Sequence, residues 1–198
     1  MIREINYHET FDAQRHFRTV LDSMARPGKI NQVNDVDIST PDGLNKASAL
    51  VAFALLNTDV SFYSSKNQSE INEYLTVNTN SKPNDLEKAD FIFINGNDDE
   101  MFIYGAKNGV LEYPETSATI IVDVENIYDV PKDQTHEIIL SGPGVKDEKV
   151  VYVSKINNDI LKAVMEQNSE YPLGVDIIMT DRNGNILCIP RTNNLRWN

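Results

Sequence analysis

The sequence predicts an α/β fold: a mixed β-sheet flanked by helices. Two observations carry this. Amphipathic helical segments alternate with short strands through the first half of the chain. In the last third, hairpin-like strand pairs take over, which argues against a strictly parallel, doubly wound sheet.

A chain of 198 residues suits one domain, taken as 1–198. It is long enough to bury roughly 70% of its unfolded surface without a disulfide or metal staple. Hydrophobic residues make up 40%, which is ordinary for a globular fold.

The first element reads as a helix of about residues 10–25. Phe17, Val20, Leu21 and Met24 recur at i, i+3, i+4 and i+7, and Phe11 extends the stripe. Thr10 is the expected N-cap, and Arg26-Pro27-Gly28 ends the helix. A short strand near Lys29–Val33 follows. Thr40-Pro41 reads as a cap and first turn for a second helix carrying Leu44, Ala47, Leu50, Val51, Ala54 and Leu55.

Val60–Ser64 is a strand, residues 67–77 a weaker helix and Asn78–Asp85 a loop. Phe91–Ile94 reads as a buried strand, Asn95–Glu100 as a polar turn and Met101–Ala106 as a helical turn. Ala118–Val124 is a strand, residues 125–134 a loop, and His136–Leu140 and Val150–Val153 are strands. Asn157 or Asn158 caps a helix bearing Ile160, Leu161, Val164 and Met165. Val175–Thr180 and Ile186–Ile189 flank Asp181-Arg182-Asn183-Gly184-Asn185, whose Asn-Gly pair favours a tight hairpin.

Composition narrows the function. Cys188 is the single cysteine, so no intrachain disulfide forms, as expected for a reducing compartment. The first residues lack the apolar core of a signal peptide, and no apolar run approaches the ~20 residues that span a bilayer. The expectation is a soluble, cytoplasmic protein without a membrane partner. A net charge of −12, with no clustered basic patch, argues against nucleic acid. The same field opposes capture of polyanions and favours an interaction role.

The chemistry-bearing residues are few. His8, His16 and His136 show no metal-ligand spacing. His16 lies one helical turn after Asp12, a spacing for a surface pair. Asp98-Asp99-Glu100 lacks the ligand pattern of a calcium loop and reads as a solvated turn. Ser141-Gly142-Pro143-Gly144-Val145 follows a strand, yet matches neither phosphate-binding glycine pattern, so it reads as a structural turn. Lys146 has nothing to mark it as a Schiff-base lysine.

Arg18 sits at the edge of the first helix's apolar stripe. It can join Asp22 and Arg26 in an ion-pair ladder, or present a fixed guanidinium at a cleft or subunit surface. Asp176 and Arg191 fall at the open ends of adjacent strands, where they can pair as a strand-end salt bridge or as a recognition pair.

Taken in order, these fragments resemble a known family. They are Gln14-x-x-Phe17-Arg18-x-x-Leu21-x-x-Met24-Ala25-x-Pro27-Gly28, Pro114-Glu115-x-x-Ala118-Thr119, Leu140-x-Gly142-Pro143-Gly144-Val145, Pro172-Leu173-Gly174-Val175-Asp176 and Ile189-Pro190-Arg191-Thr192. The set is similar to the H subunit of the bacterial carbon–phosphorus lyase core complex.

That resemblance implies a fold related to the large domain of pyridoxal-phosphate-dependent transferases, without a functional cofactor site and hence with no cofactor. It implies a homodimer in isolation and G, I and J subunits as partners. The implied reaction transfers phosphonate to ribose C1 of ATP with displacement of adenine, with no catalytic residue assigned to this subunit. Arg18, Pro27, Gly28, Gly142, Gly144, Asp176, Arg191 and Thr192 become the binding or assembly candidates.

One departure stands out: the family often has His-Thr where this chain has Asn78-Thr79. Asparagine is no physiological acid or base, which favours a structural role. Two alternatives remain, a stand-alone nucleotide- or phosphonate-binding protein and a diverged pyridoxal-phosphate-type transferase.

Overall fold

The computed structural model describes residues 3–4, 6–33 and 35–198. It contains α1 (Phe11–Ala25), β1 (Asn31–Gln32), α2 (Lys46–Leu55), β2 (Ser61–Ser64), α3 (Gln68–Thr79), β3 (Lys82–Pro83), β4 (Phe91–Asn95) and α4 (Met101–Tyr104). There follow β5 (Thr119–Asp123), β6 (Asn126–Tyr128), β7 (Thr135–Ser141), β8 (Lys149–Ser154), α5 (Asn158–Gln167), β9 (Asp176–Thr180), β10 (Asn185–Ile189) and β11 (Asn194–Trp197).

The expected mixed sheet is present, but the strands divide between two sheets. The larger runs β1-β10-β9-β5-β4-β2-β3 and the smaller β11-β7-β8-β6. In the larger sheet β3, β2, β4, β5 and β9 are parallel, with Ile92 beside Ile120 and Ile120 beside Ile177. Only β10 runs against them, pairing antiparallel with β9 on one side and with β1 on the other. The smaller sheet is wholly antiparallel.

The burial pattern explains the apolar runs. In β4, β5 and β9 three or four successive residues are buried, as strands covered on both faces require. One face carries α1, α2 and α3, with Leu50, Ile71 and Leu75 against Phe62, Phe93 and Ile121. The other carries α4, α5 and the small sheet, with Ile103, Ile160 and Leu161 against Ile92, Ile120 and Ile177. The winding reverses between β2, followed by α3 and β3, and β4, followed by α4 and β5 on the other side.

Several expectations need correction. The buried face of α1 is His16, Val20 and Ser23, whereas Phe11, Phe17 and Leu21 are 67%, 47% and 56% exposed. The helix is turned so that His16 can meet Asp35 at 2.7 Å and Ser23 can accept from Asn31 at 2.8 Å. Polar partners outweigh the apolar stripe. Thr10 makes no cap hydrogen bond; the His8 ring Nδ1 accepts from the Thr10 and Phe11 amides instead, and Asp12 accepts from the His8 amide.

The second helix starts six residues later than Thr40. Asn45 is its cap, accepting from the Ser48 amide at 2.8 Å. The expected loops at 78–85 and 125–134 contain the end of α3 and the short strands β3 and β6. These two strands are too short for a period of two to show. Strand β11 has no counterpart among the expected elements.

Candidate functional site

Asp176 opens β9 and Arg191 follows β10, so the hairpin brings them side by side. The pair forms as the strand ends suggested. Arg191 Nη2 lies 2.5 Å from Asp176 Oδ2, while Arg191 Nε and its main-chain N–H reach Oδ1 at 3.3 and 2.8 Å. Arg191 Nη1 donates to the Pro114 carbonyl at 2.8 Å. The guanidinium thus ties the sheet to the segment before β5, using the planar fork that a lysine lacks.

The other motif residues converge beside it. Asn193, two residues after Arg191, donates to the Ser141 and Pro143 carbonyls at 3.2 and 3.0 Å. Gly142, at φ +116, lies against the Thr192 carbonyl and Asn193. Gly144, at φ +80, leaves room for nothing larger, since a Cβ would stand 2.6 Å from the Ala25 carbonyl oxygen and 2.8 Å from Pro27 Cδ. Gly28 abuts Lys149 and Leu140. Pro27, Gly28, Gly142, Gly144, Thr192, Arg191 and Asp176 therefore form one seam, where the end of α1 meets the β7–β8 turn and the segment after β10.

Arg18 lies apart from that seam. Its side chain is exposed, and among the described residues it has no ion pair. The ladder exists without it: Asp22 is held by Arg26, by Lys29 at 2.7 Å and by Asn31 at 3.0 Å. The Asp12–His16 pair is absent too. Asp12 takes Arg15 at 2.7 Å, and buried His16 takes Asp35, which burial alone would push towards protonation but which His16 and Arg15 hold below the usual carboxylate range.

A further reading changes. Asp98 is no solvated loop residue: it is buried, bonded to Lys66 at 2.5 Å and to the Asn95 amide at 2.9 Å, and also to Ser65. A crevice of about 430 Å³ opens past the carboxyl ends of β4 and β5, lined by Asn45, Lys46, Asn95, Asp123, Lys155 and Arg182 among others. Ligands of open α/β sheets bind outside such strand ends, near the reversal of winding. At its base Asp123 accepts from the Asn45 amide at 2.8 Å, from Thr180 Oγ1 at 2.9 Å and from Ser48. Burial raises its pKa to about 6 despite those donors, with the Asp98 charge adding to the rise. The sequence signal was an aspartate near the end of the strand read over Ala118–Val124, a position that did not by itself mark a site.

A family model described as bacterial phosphonate metabolism protein (PhnH) matches residues 6–196. The chain belongs to that family. Among curated proteins, it is similar to the alpha-D-ribose 1-methylphosphonate 5-triphosphate synthase subunit PhnH of Rhizobium meliloti (strain 1021). The two are 28% identical over 93% of this chain and 90% of the relative. It also resembles a putative C-P lyase subunit protein, HtxG, of Stutzerimonas stutzeri, at 26% identity over 92% of this chain and 85% of that one.

Within this PhnH-family chain Asn78 has a structural use. Asn78 Oδ1 accepts from the Glu4 amide at 2.8 Å and its Nδ2 donates to the Tyr74 carbonyl at 2.9 Å. The residue thereby fastens the N-terminal segment to α3. No helix of the described residues is long and apolar enough to cross a membrane.

Proposed function

We propose that this chain is an accessory, non-catalytic subunit of a carbon–phosphorus lyase assembly. In this reading it supports transfer of phosphonate to ribose C1 of ATP with displacement of adenine, works in the cytoplasm, forms a homodimer alone and joins G, I and J subunits. The single observation that carries the reading is the family match over residues 6–196, with relatives whose names mark them as subunits. The seam supports it as well, because Arg191 and Asp176 are consumed in holding strands together. The kinship to the large domain of pyridoxal-phosphate-dependent transferases, with no functional cofactor site, belongs to the same proposal. The test is growth on methylphosphonate as sole phosphorus source by a bacterium lacking its own H subunit. Restored growth is the expected result; soluble expression of this chain without growth would count against the reading.

The crevice at β4 and β5 favours a second reading, a nucleotide- or phosphonate-binding protein. Its Lys46, Lys155 and Arg182 are matched by Asp42, Asp123 and Glu125, so it does not concentrate positive charge. Binding there would raise the melting temperature of the isolated protein with ligand concentration. A temperature unmoved by ATP or methylphosphonate would leave the accessory reading alone.

A further inference from the structure

Six charged side chains line the crevice past β4 and β5, and half of them have partners. Lys155 pairs with Glu125 at 2.9 Å, and Lys46 is engaged within the chain. Among the described residues, Asp42, Asp123 and Arg182 form no ion pair.

Two of these three are held in place by their surroundings. An ionised carboxylate offers about four acceptor positions. Asp123 fills Oδ1 with the Ser48 and Thr180 hydroxyls, and its Oδ2 accepts from the Asn45 amide at 2.8 Å. All of these donors are neutral, so among the described residues the carboxylate keeps an uncompensated charge and a free position on Oδ2. Arg182 is exposed at the β9–β10 turn. Buried Asp181 pins that turn, accepting from the Asn183 and Asn185 amides at 2.8 and 2.9 Å. The ladder sets Thr180 beside Asp123, two residues before Arg182. A carboxylate and a guanidinium therefore share one crevice without pairing with each other.

We propose that the crevice holds a small zwitterion, its ammonium on Asp123 Oδ2 and its oxyanion on the Arg182 guanidinium. The inference rests on the binding reading of the crevice given above and names the class of ligand. The planar fork of an arginine suits two oxygens of a phosphonate or a carboxylate. Exposed Asp42 adds a second negative charge, which favours a ligand bearing a cation over a bare anion. A nucleotide fits poorly. The net charge of −12 repels its phosphates, and no aromatic side chain lines the crevice for a base to stack on. A zwitterion avoids the repulsion, because its two charges largely cancel at a distance, and it needs no aromatic platform.

The test is isothermal titration calorimetry of the isolated chain with 2-aminoethylphosphonate, β-alanine, methylphosphonate and ATP, repeated on Asp123→Asn and Arg182→Gln. At least one of the two zwitterions is expected to bind at least about tenfold more tightly than methylphosphonate. Each variant is expected to lose at least about tenfold of that affinity. The tighter of the two zwitterions tells a phosphonate from a carboxylate as the oxyanion. Arg182→Gln changes an exposed side chain, so it decides the matter even where Asp123→Asn fails to fold: unchanged affinity for the zwitterion in Arg182→Gln overturns the proposal. Methylphosphonate or ATP binding as tightly as either zwitterion overturns it too, and spares the crevice as a binding site. If none of the four binds, the crevice reading itself falls and this proposal with it.

Discussion

Arg191 holds Asp176 with three donors at once: its Nη2 on one carboxylate oxygen, its Nε and main-chain N–H on the other. The fourth contact, to the Pro114 carbonyl, fixes the chain just before β5. Both side chains are mostly buried, at 14% and 22% exposure.

Removing one partner of such a pair strands the other, so Arg191→Ala is expected to cost about 2–3 kcal/mol of folding stability. Arg191→Lys recovers little of it, since an ammonium cannot bridge two oxygens and a carbonyl in one plane. Urea unfolding of the three proteins measures both effects.

Arg18→Ala should change stability by less than about 0.5 kcal/mol, as expected for an exposed side chain with no ion pair among the described residues. A loss of partner binding or of growth on phosphonate in this variant would assign Arg18 to the assembly surface. Pull-down with the other subunits, read beside the melting temperature, separates the two effects.

Gly144→Ala and Gly28→Ala rank the seam. Both glycines have φ near +80°, a region that costs a residue with a Cβ roughly 1 kcal/mol. At Gly144 the added methyl group also meets the Ala25 carbonyl and Pro27, whereas at Gly28 it meets the movable stem of Lys149. Gly144→Ala is therefore the more destabilising, by a total of about 2–3 kcal/mol, and calorimetry gives the order directly.

The Asp123 carboxyl titrates near pH 6 when folded and near its ordinary 3.8 when unfolded. Between those values the folded protein holds a proton that the unfolded chain has released, so stability falls as pH rises from about 4 to 6 and then levels. The contribution is on the order of 3 kcal/mol. Asp123→Asn should remove that fall; a denaturation series in which the slope persists in the variant would assign it to other groups.

Cys188 is fully buried in β10, and burial pushes its thiol pKa up. It should resist alkylation in the native protein and react at the rate of global unfolding, making the lone thiol a reporter for the variants above.

The sequence made the buried parallel strands, the caps at Asn157 and the β9–β10 hairpin readable, because long apolar runs and an Asn-Gly turn have few other uses. Seven of the eight candidate residues also fell together in the seam, since turn glycines and strand-end charges mark places where segments close on one another. What escaped was decided by tertiary partners. Asp35 rotates α1 by claiming His16, and Asn45 displaces Thr40 as the cap of α2. Asp123 becomes the floor of a crevice only when β4 and β5 pair. Strand β11 was invisible because Asn194–Trp197 is too short and too polar to show a period of its own.

Co-expression with the G, I and J subunits, followed by size-exclusion chromatography with mass detection, tests the central claim most directly. The account predicts that this chain elutes in one stable species whose mass includes the partners. A lone dimer, eluting apart from partners that have assembled without it, would contradict the claim.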